Sequence, residues 1–348
     1  MNSSKAIACR DDLEFPKPFL VFMGDIKDSG SAKTGLGLVD WRKSWCAGQW
    51  RMAGCAVDLG LPDMSFEQAL SAGVQTVVLG VAPDGGRIPD HWIPHLVEAL
   101  KLGFNLAAGL HDFLCQKPEL TALAAEKNLR LFDARKLPQE YSLPIGTGAR
   151  RTGKRLLTVG TDCACGKKYT ALVIERELQG RGINAQFCAT GQTGILISGS
   201  GIAIDAVASD FVAGAVELMT PSAPTDHWYV IEGQGSLYHP SYAGVTLSLL
   251  HGAQADVFVL CHDPSRKFID YLPDFPIPNI QECIDLHIKL GSLTNPNIRC
   301  AGISLNTFGM DTESRSRIIA KLENETGLPV TDPLAMGVQA LVDEILDL

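Results

Sequence analysis

Short apolar runs alternate with longer stretches of helical spacing along the chain, a pattern that predicts α/β units built on parallel sheet. In the first part, residues 19–23 (FLVFM), 76–81 (TVVLGV), 105–108 and 130–132 read as buried strands. Residues 65–72 and 93–102 read as helices; in the latter, Leu96, Ala99 and Leu100 recur at helical spacing. In the second part the expected strands are 156–159, 184–189, 228–231, 257–261, 300–305 and 329–330. The expected helices there are 169–181, 204–219, 246–252, 283–290 and 311–326. Between the two parts, residues 135–154 carry two prolines, three glycines and a basic cluster without either periodicity, which reads as a linker. The expected organisation is an α/β, two-domain chain: a Rossmann-like domain over 1–138, a linker over 139–154 and a P-loop NTPase-type parallel-sheet domain over 155–348.

A length of 348 residues fits two hydrophobic cores better than one. Lys plus Arg is 30 and Asp plus Glu 39, a net charge of −9 with no basic run, which argues against a nucleic-acid partner. No apolar stretch approaches the ~20 residues that span a bilayer, so no membrane partner is expected. Residues 1–14 are polar and lack the apolar core of a secretory signal, and none of the ten cysteines forms a CxxC pair. Reduced, mostly buried thiols in a cytoplasmic protein are the expectation.

The chemistry concentrates in residues 156–170, LLTVGTDCACGKKYT, where a strand runs into a glycine-bounded loop and then a helix. Consecutive backbone N–H groups and the positive end of a helix dipole form an anion cradle there, and Lys167 adds a point charge. Gly160, Thr161, Asp162, Gly166, Lys167, Lys168 and Thr170 are the candidate phosphate-binding residues. Five residues separate the glycines, one more than in the common Walker loop, and the GTDxxxGK form resembles that of dethiobiotin synthetase and its amidoligase relatives. Lys168 stands where a Mg²⁺-binding hydroxyl normally follows the lysine, with Thr170 or Asp162 as substitutes.

Further segments follow expected strand ends, where α/β enzymes place working residues. YVIEGQG over 229–235 ends on Glu232 and resembles the EGxG segment of the same synthetases, whose acid binds the metal; a satisfied buried Glu is the alternative. Thr190, Gln192 and Thr193 in TGQTG form either a phosphate or substrate loop or a plain turn, and Asn306 either reads a base edge or is structural. His239 and His262 follow strand ends, and Asp205, Asp210 and Glu217 lie between the TGQTG and YVIEGQG segments. On a helix starting near Asp205, an N-cap candidate, Asp210 would sit about 140° around, off the same face. His91 and His95 have metal-ligand spacing, but Pro94 and the missing acidic partner make them structural. The first part lacks a GxGxxG dinucleotide fingerprint: Gly24 to Gly30 departs from it, and Gly35–Leu36–Gly37 lacks the third glycine. Gly85–Gly86 is a turn, or a point where a ligand approaches the backbone.

Together GTDCACGKKYTAL, ATGQTGILISG, DAVASDFVAGAVE, IEGQGSLYHPSYAGVTLSLLHG and LCH resemble a bacterial two-domain family long labelled a domain of unknown function. It joins a Rossmann-like half to a P-loop half, and the likeness reaches the first half through VLGVAPDGGRIPDHWIPHLVEAL and AGLHDFL. The family includes D-glutamate N-acetyltransferases, so the resemblance implies acetyl-CoA as cosubstrate and a small amino-acid acceptor. Relatives tend to carry an apolar residue and a threonine where this chain has Lys168 and Tyr169. Acyl transfer needs a base for the ammonium and a donor for the thioester oxyanion. Glu232, Asp210, His239 and His262 are candidates for the first role, and Lys167, Lys168 or loop N–H groups for the second. Two other functions stay open: an ATP- and Mg²⁺-dependent ligase, with Glu232 as metal ligand, and a nucleotide-sensing module. A homo-oligomer is compatible with all three.

Overall fold

The structure, a computed structural model, describes residues 15–137 and 142–347. Residues 1–14 and residues 139–141 of the expected linker lie outside this range. The chain forms two compact units. The N-terminal unit comprises residues 15–137 together with Gly191–Ala206, and the C-terminal unit comprises Ser142–Thr190 and residues 207–347. A segment expected within the P-loop domain therefore belongs to the N-terminal unit.

The N-terminal unit contains β1 (Phe19–Gly24), α1 (Lys33–Arg42), β2 (Cys46–Arg51), α2 (Phe66–Ser71), β3 (Thr76–Leu79), α3 (Ile93–Leu102), β4 (Asn105–Ala108), α4 (Pro118–Glu126) and β5 (Leu131–Asp133). Its strands form one parallel sheet in the order β2-β1-β3-β4-β5. β1 and β3 are buried at every position, which is why they read as continuous apolar runs rather than alternating ones. α2 starts at a capping box in which Ser65 and Gln68 satisfy each other's backbone N–H groups, and α3 buries Leu96, Ala99 and Leu100. His91 binds the Asp25 carboxylate and His95 packs on Trp50, so the pair is structural as expected.

Three elements of this unit, α1, β2 and α4, escaped the pattern. β2 (CAGQWR) has no apolar run, and α1 carries Gly35 and Gly37 on its buried side. The Gly35 N–H donates to the Gly80 carbonyl at 2.7 Å, an approach that favours Gly over a good helix former.

The C-terminal unit contains β6 (Lys154–Gly160), α5 (Lys167–Gly180) and β7 (Ala185–Cys188), after which α6 (Gln192–Ser198) packs within the N-terminal unit. It resumes with α7 (Ser209–Met219), β8 (Trp228–Ile231), α8 (Ala243–Ala253), β9 (Val257–His262) and the hairpin β10 (Phe268–Ile269) and β11 (Leu272–Pro276). It ends with α9 (Ile280–Gly291), β12 (Arg299–Leu305), α10 (Thr312–Thr326), β13 (Val330–Thr331) and α11 (Gln339–Leu346). The main sheet is parallel in the order β13-β12-β9-β6-β8-β7. From β6 the chain crosses to the edge strand β7, returns to β8, and then passes over β6 to β9 and on to β12 and β13. Connections thus leave β6 and β9 in opposite directions, and the crevice beyond their C-terminal ends is the topological switch point. Described linker residues are tied to this unit: Thr147 and Gly148 donate to the Glu217 carboxylate, and Arg151 donates to the Thr220 and Gly252 carbonyls.

Two expectations need correction. The helix over 204–219 is a single 3₁₀ turn, Ile204–Ala206, followed by the separate α7. The Asp205 carboxylate pairs with Arg135 inside the N-terminal unit instead of capping a helix. Residues 190–194, expected as a loop or turn, run into α6 at Gln192; Thr193, Gly194, Ile195, Leu196 and Ile197 are all buried, so no amphipathic stripe announces it. Among the described residues, no helix is long and apolar enough to cross a membrane.

α9 places His287 in the core, where its Nδ1–H donates to the Cys283 carbonyl at 2.7 Å and burial pushes its pKa down to about 4. In the unfolded chain the imidazole returns to its ordinary value of 6.5. The folded pKa is depressed, so between about 6.5 and 4 the unfolded chain binds the extra proton. Stability therefore falls as pH falls through that window, by about 2 kcal/mol from pH 6.5 to 5 for this one group. Comparing thermal denaturation at pH 7.5 and 5 in wild type and His287→Leu is expected to show a smaller pH-dependent drop in the variant. An identical drop would assign the acid sensitivity to other groups.

Candidate functional site

β6 delivers the chain to the switch point, and residues 161–166 turn there into α5. Gly166, with φ +106°, is the N-cap of α5, a left-handed conformation that strains residues with a Cβ. The turn aims the first N–H groups of α5 and its positive dipole end into the loop. Lys167 is buried, and its Nζ donates to the Asp162 carbonyl at 2.7 Å, so the ammonium sits inside the loop that it serves. The glycine after Glu232 is sterically required: a Cβ on Gly233 would fall 1.6 Å from the Thr158 carbonyl oxygen and 3.2 Å from Lys167 Cδ. The EGxG segment and the lysine stem thus share one packed space.

The two substitutes for the missing Walker hydroxyl are already engaged. Thr170 is buried; its hydroxyl lies 3.1 Å from the Gly166 carbonyl and 2.7 Å from Ser304 Oγ. Asp162 is fully buried, and its carboxylate accepts from the Cys163 N–H at 2.6 Å, Arg266 at 2.6 Å and the Asp270 N–H at 2.9 Å. Arg266 and the turn of the hairpin thereby anchor the loop from outside. The Thr161 hydroxyl lies 3.0 Å from His262 Nδ1. Lys168 is half-buried, with Nζ 5.1 Å from the Tyr169 ring. The donor set of this loop therefore fits a phosphate better than a tightly held Mg²⁺.

One carboxylate oxygen of Asp162, Cys163 Sγ and a ring nitrogen of His239 lie within 4.8 Å of one another. This is a poor metal centre, because Arg266 already neutralises Asp162 and burial pushes the Cys163 thiol up to about 11, leaving it protonated at neutral pH. Nine cysteines of the described range are free, six of them buried, as expected for reduced thiols.

Glu232 follows β8 and is 4% exposed. Its carboxylate accepts from the Thr190 N–H at 3.0 Å, while the Thr190 hydroxyl donates to its backbone carbonyl and accepts from Gln234. Thr190 is thus a holder of Glu232. Gln192 and Thr193 lie on α6 in the N-terminal unit, where Thr193 bonds Thr34 and Gln192 packs on Gly109. His239 is buried, and its Nδ1 accepts from the Ser241 N–H at 3.1 Å, which leaves the proton of the neutral ring on Nε2. His262, at the end of β9, has its pKa pushed down to about 4 by burial, so it is neutral at pH 7. Asp210 is exposed in the first turn of α7 and makes no hydrogen bond with the loop.

A cavity of about 490 Å³ opens beside the loop, lined by Gly166, Tyr169, Asn306, Phe308, Arg315 and Leu334 among others. Asn306 follows β12, the expected strand end, and its Oδ1 accepts from the Phe308 N–H at 3.3 Å, leaving the amide NH₂ as donor. Asp332 follows β13 and accepts from Thr307, Leu334 and Ala335. Burial pushes its carboxyl up, but these bonds outweigh it and hold the pKa below the ordinary range. Arg266, Ser304, Arg315 and Asp332 were not singled out from the sequence. The one available signal was position, since all but Arg315 lie at or just beyond strand ends.

The family model described as "Domain of unknown function (DUF1611_C) P-loop domain" matches residues 144–342, and the one described as "Domain of unknown function (DUF1611_N) Rossmann-like domain" matches residues 50–137. A protein of Tritonibacter scottomollicae named D-glutamate N-acetyltransferase is 45% identical over 328 residues, covering 94% of this chain and 98% of its own. Another of that name from a Pseudoalteromonas species is 43% identical over 330 residues, covering 95% and 99%. The crystal structure of a DUF1611 family protein from Anabaena variabilis superposes with a TM-score of 0.84 at 34% identity, covering 95% of this chain and all of that one. The chain belongs to the two-domain DUF1611 family, an α/β protein with a Rossmann-like domain followed by a P-loop domain.

Proposed function

We propose that the protein is an N-acetyltransferase that passes the acetyl group of acetyl-CoA to the amine of a D-amino acid of the glutamate type. The names of two relatives alike over nearly their whole length support the reaction. The observation that carries acetyl-CoA as donor is the loop itself: it offers N–H groups and Lys167 to phosphates while Thr170 and Asp162 are committed inward and Lys168 stands in the metal-binding hydroxyl's place. Coenzyme A brings phosphates that need no Mg²⁺ for binding.

In the reaction the amine nitrogen attacks the thioester carbonyl carbon, the C–S bond breaks, and the thiol leaves with a proton. Glu232 is the carboxylate that we assign as base for the ammonium; Asp162 is neutralised by Arg266, and Asp210 lies exposed on α7. His239, with its proton on Nε2, suits donation to the oxyanion better than proton abstraction. His262 supports the loop through Thr161.

With acetyl-CoA, D-glutamate and EDTA but no ATP, stoichiometric thiol release with formation of N-acetyl product is expected. ATP cleavage coupled to product without thiol release would replace this reading with a ligase.

A further inference from the structure

Coenzyme A differs from ATP in a feature that a binding site must address: a phosphate on the 3′ oxygen of the same ribose that carries the 5′ diphosphate. With the diphosphate over the loop N–H groups and adenine in the adjoining cavity, the 3′-phosphate is confined within one sugar ring's reach of that cavity's wall. The adenine side is apolar and open. Phe308 is 95% exposed and Leu334 66% exposed at its mouth, and the Asn306 amide is free to donate to a base edge. Asp332 is the anion on this wall, and its oxygens are taken up by Thr307, Leu334 and Ala335.

Arg315, on the first turns of α10, is the cation on this wall. Its Nε donates to the Thr307 hydroxyl at 2.7 Å, and that hydroxyl donates in turn to Asp332. The relay holds the guanidinium at one edge. Among the described residues no hydrogen bond engages its two Nη groups. A guanidinium fixed through Nε keeps the Nη donors that bind phosphate in a forked geometry.

We propose that Arg315 reads the 3′-phosphate of coenzyme A and is the residue by which this site distinguishes CoA thioesters from ATP. The proposal rests on the acetyl-CoA reading above and names the part of the cofactor that the cavity recognises.

Isothermal titration of the full chain with CoA and with 3′-dephospho-CoA tests it. A lost charge-assisted pair predicts roughly 10- to 100-fold tighter binding of CoA by the wild type. In Arg315→Gln the ratio is expected to collapse toward one because CoA binding weakens, and Arg315→Lys is expected to restore part of it. Equal wild-type affinities would overturn the proposal without any variant, as would a preference that survives Arg315→Gln in a folded protein, or no binding of either ligand. Thiol release from acetyl-CoA is measured separately. Preference for CoA without acetyl transfer would remove the reaction and leave Arg315 its role, whereas acetyl transfer with equal affinities would remove Arg315 alone.

Discussion

Lys167→Met is expected to weaken coenzyme A binding by about 100- to 1,000-fold, equivalent to roughly 3–4 kcal/mol, while the protein still folds. The side chain is 7% exposed, and its Nζ is held against the Asp162 carbonyl, so a ligand phosphate would meet a charge already in place. Met keeps the apolar stem that packs beside Gly233 and removes only the ammonium. Alanine is the harsher test. A lysine of the exposed loop type would lose little stability on truncation, but this one is buried, and Lys167→Ala opens a void as well as removing a charge. Titration calorimetry on the Met variant, with circular dichroism as the folding control, separates the two effects. Unchanged affinity in a folded Met variant would end the P-loop assignment.

Glu232→Gln is expected to lower acetyl transfer by at least ~100-fold with near-normal thermal stability, the low end of what a general base contributes. The amide oxygen can still accept from the Thr190 N–H, so the local fold has a way to survive; the proton-accepting carboxylate does not. A pH–rate profile adds a second readout, because loss of the base removes the acidic limb while a merely structural change scales the whole curve. A fully active Glu232→Gln would make the residue structural and return the base role to the histidines.

Most strands and helices were visible in the chain because parallel strands buried on both faces read as unbroken apolar runs, and α3 repeats its core residues at helical spacing. Of the elements that escaped, α4 and α11 do repeat buried residues at helical spacing, whereas the others lacked that imprint. α1 uses glycine for close backbone approach, α6 is buried all round, and β2 is polar in composition. Asp205 and Asp210 seemed to share one helix because nothing local marks the passage of the chain from one compact unit to the other at 206–207.

By itself the sequence determined that a glycine-bounded loop follows a buried strand and opens a helix, because glycine at a left-handed turn and the lysine that starts the helix are local features set by neighbours in the chain. It also determined that a carboxylate followed by glycine ends another strand, since an apolar run leads straight into Glu232 and Gly233; that Gly233 is demanded by contact with Thr158 came only from the fold. Only the tertiary structure decided which polar groups remain for a ligand. Thr170 faces Ser304, 134 residues away, Asp162 faces Arg266, 104 away, and Thr307 joins Arg315 to Asp332 across two elements. Those pairings depend on which strand ends the sheet order brings together, and no local periodicity encodes that order.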